Sequence, residues 1–270
     1  MSARDQYLEA LGIDVWKSRA HRPPALEASD PDEAADSIEL AVTPAAAGTG
    51  VAATPVVATP VAATPVGAAP VVAAPGSTPA DEAAWQALRA QVSVCTRCEL
   101  SKTRTQTVFG VGNLRAEIIV IGEAPGADED RQGEPFVGRA GQLLNSMLRA
   151  IGHPRETVYI ANVLKCRPPG NREPRPAEAA CCLPYLQQQL EMIQPRLLVA
   201  LGRVAAQNLL ATDTPLARLR GQLHRFGARA TPLIVTYHPA YLLRSPTEKR
   251  KSWADLKFIR AELARARAGA

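Results

Sequence analysis

Four short apolar runs, at residues 117–122, 157–162, 196–201 and 232–236, alternate with stretches of helical periodicity, and that alternation admits few folds. The runs are apolar at nearly every position rather than at every second one, the mark of strands covered on both faces. Helical spacing occupies residues 81–94, 138–151, 176–194, 203–210 and 248–264. The expected fold class is α/β: a three-layer α/β/α sandwich around a central four-stranded, mainly parallel sheet. A domain of about 190 residues is ample for such a core.

Open parallel sheets bind ligands beyond the carboxyl ends of their strands, so chemistry is expected in the segments that follow the runs. The first run enters Gly122-Glu123-Ala124-Pro125-Gly126. The second ends at Asn162 and continues into Lys165-Cys166-Arg167-Pro168-Pro169, and the last enters Tyr237-His238-Pro239-Ala240-Tyr241.

The first 80 residues read differently. Between residues 41 and 80 the chain is almost wholly Ala, Val, Thr, Pro and Gly, with prolines at 55, 60, 65, 70 and 75 and no charge or aromatic. Proline at every fifth position interrupts helix and ladder alike, so a disordered N-terminal tether is expected, with residues 1–20 as a short helical docking peptide, 21–80 as linker and 81–270 as the folded domain. Charge divides the same way. Residues 1–80 hold four Lys or Arg against nine Asp or Glu, which leaves 27 against 17 for the remainder and makes the folded part the basic part. That surplus suits a nucleic-acid partner. Acidic residues at 5, 9 and 14 and the lack of a long apolar run argue against a secretory signal or membrane span, and a cytoplasmic protein is expected.

In a reducing compartment five cysteines point to metal or catalysis rather than to disulfides. Cys95 and Cys98 form a C-x-x-C pair, and Cys166, Cys181 and Cys182 follow the second strand. The pair alone fits a redox motif or half a zinc site. The second half is not a C-x-x-C, and its long spacing suits a 4Fe-4S cluster, whose corners take thiolates from separated loops; zinc is the runner-up.

The segments GEAPGADED, EPFVGRAGQLL, YIANVLKCRPPGNREP, CLPYL and YHPAYLLRSP, in this order and with these cysteines, resemble family 4 uracil-DNA glycosylases, the iron-sulfur branch of that superfamily in bacteria and archaea. The likeness spans about residues 90–265. It implies a monofunctional hydrolase that flips uracil out of DNA and breaks its N-glycosidic bond, leaving an abasic site, and a nucleoid-associated bacterial monomer. It places the cluster ligands on Cys95, Cys98, Cys166 and Cys182, with Cys181 a bystander.

The resemblance implies further roles. Phe136 corresponds to the aromatic on which the flipped base stacks, and Asn162 to the amide that reads the uracil edge, with Gly122 and Ala124 beside them. His238 corresponds to the hydrogen-bond donor to uracil O2 as the base leaves with negative charge. The aspartate that orients water in the better-known branch is replaced here by Ala124, so Glu123, or more weakly Glu129, is expected to position the water. Leu242 and Arg244 fall in the family's wedge loop, and Lys165 and Arg167 are expected on phosphates, with further basic residues nearby.

Residues 4–19 resemble the start of the clamp-loader psi subunit of bacterial DNA polymerase, which binds the chi subunit and through it single-strand binding protein. A noncatalytic iron-sulfur DNA-binding protein is the competing reading. It would need neither the amide nor the imidazole.

Overall fold

The computed structural model describes residues 79–268. The docking peptide and nearly all of the linker expected from the sequence lie outside the described residues. Helix α1 (Pro79–Ser93) leads through a 3-10 turn at Glu99–Lys102 to strands β1 (Val111–Gly112) and β2 (Ile118–Gly122), then helices α2 (Ala127–Gln132) and α3 (Arg139–Ala150). Strand β3 (Tyr159–Asn162), helix α4 (Pro176–Ile193), strand β4 (Leu197–Leu201) and helices α5 (Gly202–Leu210) and α6 (Leu216–Leu219) follow. The chain closes with β5 (Leu223–Phe226), β6 (Thr231–Thr236), α7 (Pro239–Arg244) and α8 (Lys249–Ala268).

The sheet has six strands in the order β1-β3-β2-β4-β6-β5. The four expected from the sequence, β3, β2, β4 and β6, are parallel neighbours, and β1 and β5 add an antiparallel edge on each side. The count is therefore six rather than four. The parallel strands were legible because all five residues of Ile118–Gly122 and of Leu197–Leu201 are buried. The two edges gave no such signal, since β1 has two residues and β5 alternates exposed with half-buried positions.

Period-2 alternation divides the core into two layers. Ile119, Ile121, Ala161, Leu198, Ala200, Leu233 and Val235 pack with residues of α1, α4 and α5 on one face. Ile118, Val120, Ile160, Val199 and Ile234 pack with α3, α8 and Leu242 of α7 on the other. Each of the Val, Leu and Ile side chains, once buried, contributes roughly 1.5–3 kcal/mol. Helices on both faces force the crossovers to bring every parallel strand out at one edge. The segments after Gly122, Asn162, Leu201 and Thr236 therefore meet there.

Candidate active site and thiol cavity

Gly122 and Asn162 are register partners at the ends of β2 and β3. A Cβ on Gly122 would stand 2.3 Å from Asn162 Oδ1 and 2.8 Å from Phe136 Cζ, so the bare glycine is what lets the amide and the ring meet. Asn162 is 2% exposed, and its Oδ1 has no hydrogen-bond partner. Leaving a buried acceptor unmade costs about 1–3 kcal/mol, so its retention in the core calls for a partner that arrives from outside.

Phe136 comes from the loop between α2 and α3 and is held there against its backbone preference. Its φ is +56°, a left-handed conformation that costs a side-chain-bearing residue roughly 1–2 kcal/mol. Several contacts enforce it. Arg155 donates from Nη2 to Glu134 Oε1 at 2.9 Å and to the Pro135 carbonyl at 2.7 Å. Glu129 accepts the Val137 N–H at 3.2 Å and the Gly126 N–H at 3.1 Å, tying the loop back to the start of α2. Gly141, in the first turn of α3, leaves space for the Phe136 carbonyl, which a Cβ would meet at 1.8 Å. Glu129 is thus occupied in holding the loop.

His238 follows β6 and caps α7. Its Nδ1 accepts the Ala240 N–H at 3.1 Å; because an amide can only donate, the ring proton of the neutral imidazole sits on Nε2. Burial, with the Arg244 charge second, drives the imidazole down to about 4, so the ring is neutral at ordinary pH and still a donor. Its ring stacks beside that of Phe136, centroids 5.5 Å apart. Gly202, the first residue of α5, was not anticipated. Its φ is +87°, and a Cβ there would lie 3.0 Å from His238 Cβ. A glycine directly after the apolar run 197–201 was the available signal.

Glu123 is half-buried, makes no hydrogen bond from its side chain to another described residue, and has its carboxyl raised by burial and then by Glu173, with Arg203 opposing. Ala124 packs on the layer opposite Phe136. Two expectations depart from the structure. Leu242 is 1% exposed and packs in the core, so it cannot serve as a wedge in this arrangement; an apolar residue near the site was read as protruding when it faces inward on a short helix. Arg244 and Tyr241 of the same helix are exposed. Lys165 is also 1% exposed, with Nζ donating to the Asn162 carbonyl at 3.0 Å and Gln189 Oε1 at 2.7 Å, so it is not on a phosphate. Arg167 remains half-buried near the surface, its Nε donating to Asn171 Oδ1 at 2.7 Å.

On the other face of the sheet Cys95, Cys98, Cys166, Cys181 and Cys182 line one small cavity together with Arg97, Arg104, Lys165 and Tyr185. The Lys165 N–H donates to Cys182 Sγ at 3.2 Å, and Arg104 Nη1 to Cys166 Sγ at 3.1 Å. Burial pushes the Cys182 thiol to about 11 and raises Cys98 and Cys166 as well. Among the described residues no three His, Cys, Asp or Glu side chains converge tightly enough to hold a single metal ion.

The superfamily model for uracil-DNA glycosylases matches residues 109–257, which include the amide, both rings and three of the five thiols. The chain belongs to the uracil-DNA glycosylase superfamily. Within that superfamily it is 49% identical over 176 residues to the type-4 uracil-DNA glycosylase of Archaeoglobus fulgidus, covering 63% of this chain and 88% of that one. It is 44% identical over 166 residues to the Thermotoga maritima type-4 enzyme, covering 61% and 85%. It is 41% identical over 180 residues to that of Pyrobaculum aerophilum, covering 64% and 92%. The resemblance read from the five segments and the superfamily found by comparison agree. No helix among the described residues is long and apolar enough to cross a membrane.

Proposed function

We propose that this protein excises uracil from DNA, and the observation that carries the reading is the partnerless Oδ1 of Asn162 beside Phe136 and a neutral His238. A carboxamide offers one acceptor and one donor. Uracil presents N3–H and O4 on one edge in the complementary order, whereas cytosine presents the reverse. The flipped base would stack on Phe136, which replaces the neighbours lost from the duplex.

As the glycosidic bond breaks, negative charge gathers on the base and positive charge on the sugar. The Nε2–H of His238 donates to the base oxygen as that charge grows, and a donor so placed is worth about 3 kcal/mol. Glu123, beside Gly122 and without a side-chain hydrogen bond, holds the attacking water in this reading. Arg244 and Arg167 contact phosphates, and Tyr241 rather than Leu242 presents an apolar surface to the DNA.

Cys95, Cys98, Cys166 and Cys182 hold a 4Fe-4S cluster in this reading. Four thiols lining one cavity, with N–H donors on the sulfurs of Cys166 and Cys182, supply the one thiolate per iron that a cubane takes. When bound, the cluster supplies a cross-link between the segment after α1, the segment joining β3 to α4, and α4 itself through Cys182. Residues 4–19 dock to the clamp-loader chi subunit and through it reach single-strand binding protein, with residues 21–80 as the tether. Deleting residues 1–78 leaves excision from short oligonucleotides intact in this reading.

The test is direct. The purified protein is incubated with a uracil-containing oligonucleotide and its thymine twin, and abasic sites are then cleaved with alkali. Strand breaks at uracil alone are expected, and their absence removes the reading.

A further inference from the structure

Lys165 poses an electrostatic problem that base excision does not explain. Its ammonium is 1% exposed, and both of its hydrogen-bond acceptors, the Asn162 carbonyl and Gln189 Oε1, are neutral. Gln189 is itself committed, donating from Nε2 to the Phe109 carbonyl at 3.0 Å and to the Tyr159 hydroxyl at 3.1 Å. No carboxylate pairs with Lys165 among the described residues. A cation kept in the core by neutral dipoles alone is costly, and most buried charges are paired with an opposite one.

The opposite charge is available on the other side of the same residue. Lys165 lines the thiol cavity, its backbone N–H donates to Cys182 Sγ at 3.2 Å, and the next residue is Cys166. Four thiolates around an iron-sulfur core leave that site net negative, and cations and hydrogen bonds around the sulfurs tune such a centre. We infer that Lys165 is the internal counter-charge of the cluster and, through the same ammonium, a positioning residue for the backbone of Asn162. The inference rests on the four-thiolate reading given above. It makes Lys165 the physical link between the two sites: one end of the residue touches a cluster thiol, and the other fixes the strand end that carries the base-reading amide.

A lysine that merely filled space between Gln189 and β3 would have no influence on the electronics of the cluster. The experiment therefore compares wild-type holoprotein with Lys165→Met and with Gln189→Glu. The second variant keeps the lysine and places a carboxylate where Gln189 Oε1 now lies 2.7 Å from the ammonium, which neutralises the charge without emptying the space. Iron per protein and visible absorbance report whether the cluster is present, its reduction potential reports the charge, and kcat and KM on uracil oligonucleotides report the amide.

The expected result is a potential lower than wild type in both variants at equal iron content, with kcat/KM reduced about tenfold in Lys165→Met, mainly through KM, as loss of a charged hydrogen bond implies. An unchanged potential in Gln189→Glu with full iron content, or a wild-type protein free of iron, overturns the inference. The potential is read without substrate, so a protein that carried the cluster and failed to cut uracil would retire the glycosylase reading alone.

Discussion

The rings of Phe136 and His238 lie 5.5 Å apart, centroid to centroid, with their planes inclined by 29°. One ring is held by a loop clamped through Glu129 and Arg155 and the other by the end of β6, so the surface they share is assembled from two independent supports. Phe136→Ala should leave the imidazole in place and remove only the stacking face. A fall in kcat/KM of roughly ten- to a hundredfold is expected, from about 1–3 kcal/mol of lost stacking. Equal rates on uracil oligonucleotides for variant and wild type would contradict a stacking role.

The pH behaviour of His238 follows from its burial. With the imidazole at about 4 in the folded protein and near 6.5 in an unfolded chain, the unfolded state binds more protons between those values. Stability from this group is therefore complete above about pH 6.5 and is lost as pH falls toward 4. Urea unfolding at pH 7 and pH 5 should show that loss in wild type and a smaller one in His238→Gln. The cleavage rate should show no ionisation near 6.5 from this ring, and a titration of His238 near that value by NMR would contradict the neutral-donor account.

Asn162 should separate function from stability. Replacing it with Ala removes a buried acceptor that nothing satisfies, so the unmade hydrogen bond disappears along with the reading of uracil. The expected outcome is a melting temperature held or raised by a few degrees, with uracil excision lowered at least a hundredfold. A variant that melts well below wild type would mean that the amide is part of the framework instead.

Gly202 offers a test at a distance from the base. Gly202→Ala would place a Cβ 3.0 Å from His238 Cβ at a φ of +87°. Strain of about 1–3 kcal/mol is expected, relieved in part by displacement of the His238 loop, so kcat should fall while KM changes little. Thermal melting and steady-state kinetics together check it, and an unaffected kcat would show that the loop tolerates the methyl group.

The legible part of this molecule is the part set by burial on both faces. The runs 117–122 and 196–201 announced their strands because their interiors are wholly apolar, and the four parallel strands together bring Gly122, Asn162 and the segment holding His238 to one edge. Spacing marked the five cysteines as one group, and all five do line one cavity; the choice of Cys95, Cys98, Cys166 and Cys182 among them came from the family resemblance. What could not be read was direction. Leu242 and Lys165 both lie beside functional residues, and only the packing of α7 and the Gln189 side chain of α4 turn them inward. A lysine enclosed by neutral groups has no sequence signature, because its partners come from other elements.

The register of the sheet has a consequence for how this family can change. Gly122 pairs with Asn162 and Leu201 with Thr236, so the width of the base-binding mouth is inherited from the repeat between neighbouring backbones, about 4.8 Å. Insertions in the connections at the opposite end of the strands leave that mouth untouched. A single-residue slip of β3 would turn Asn162 toward the wrong helical layer and exchange Tyr159 and Ile160 between the two halves of the core, so the packing that holds the sheet also fixes the aim of the amide.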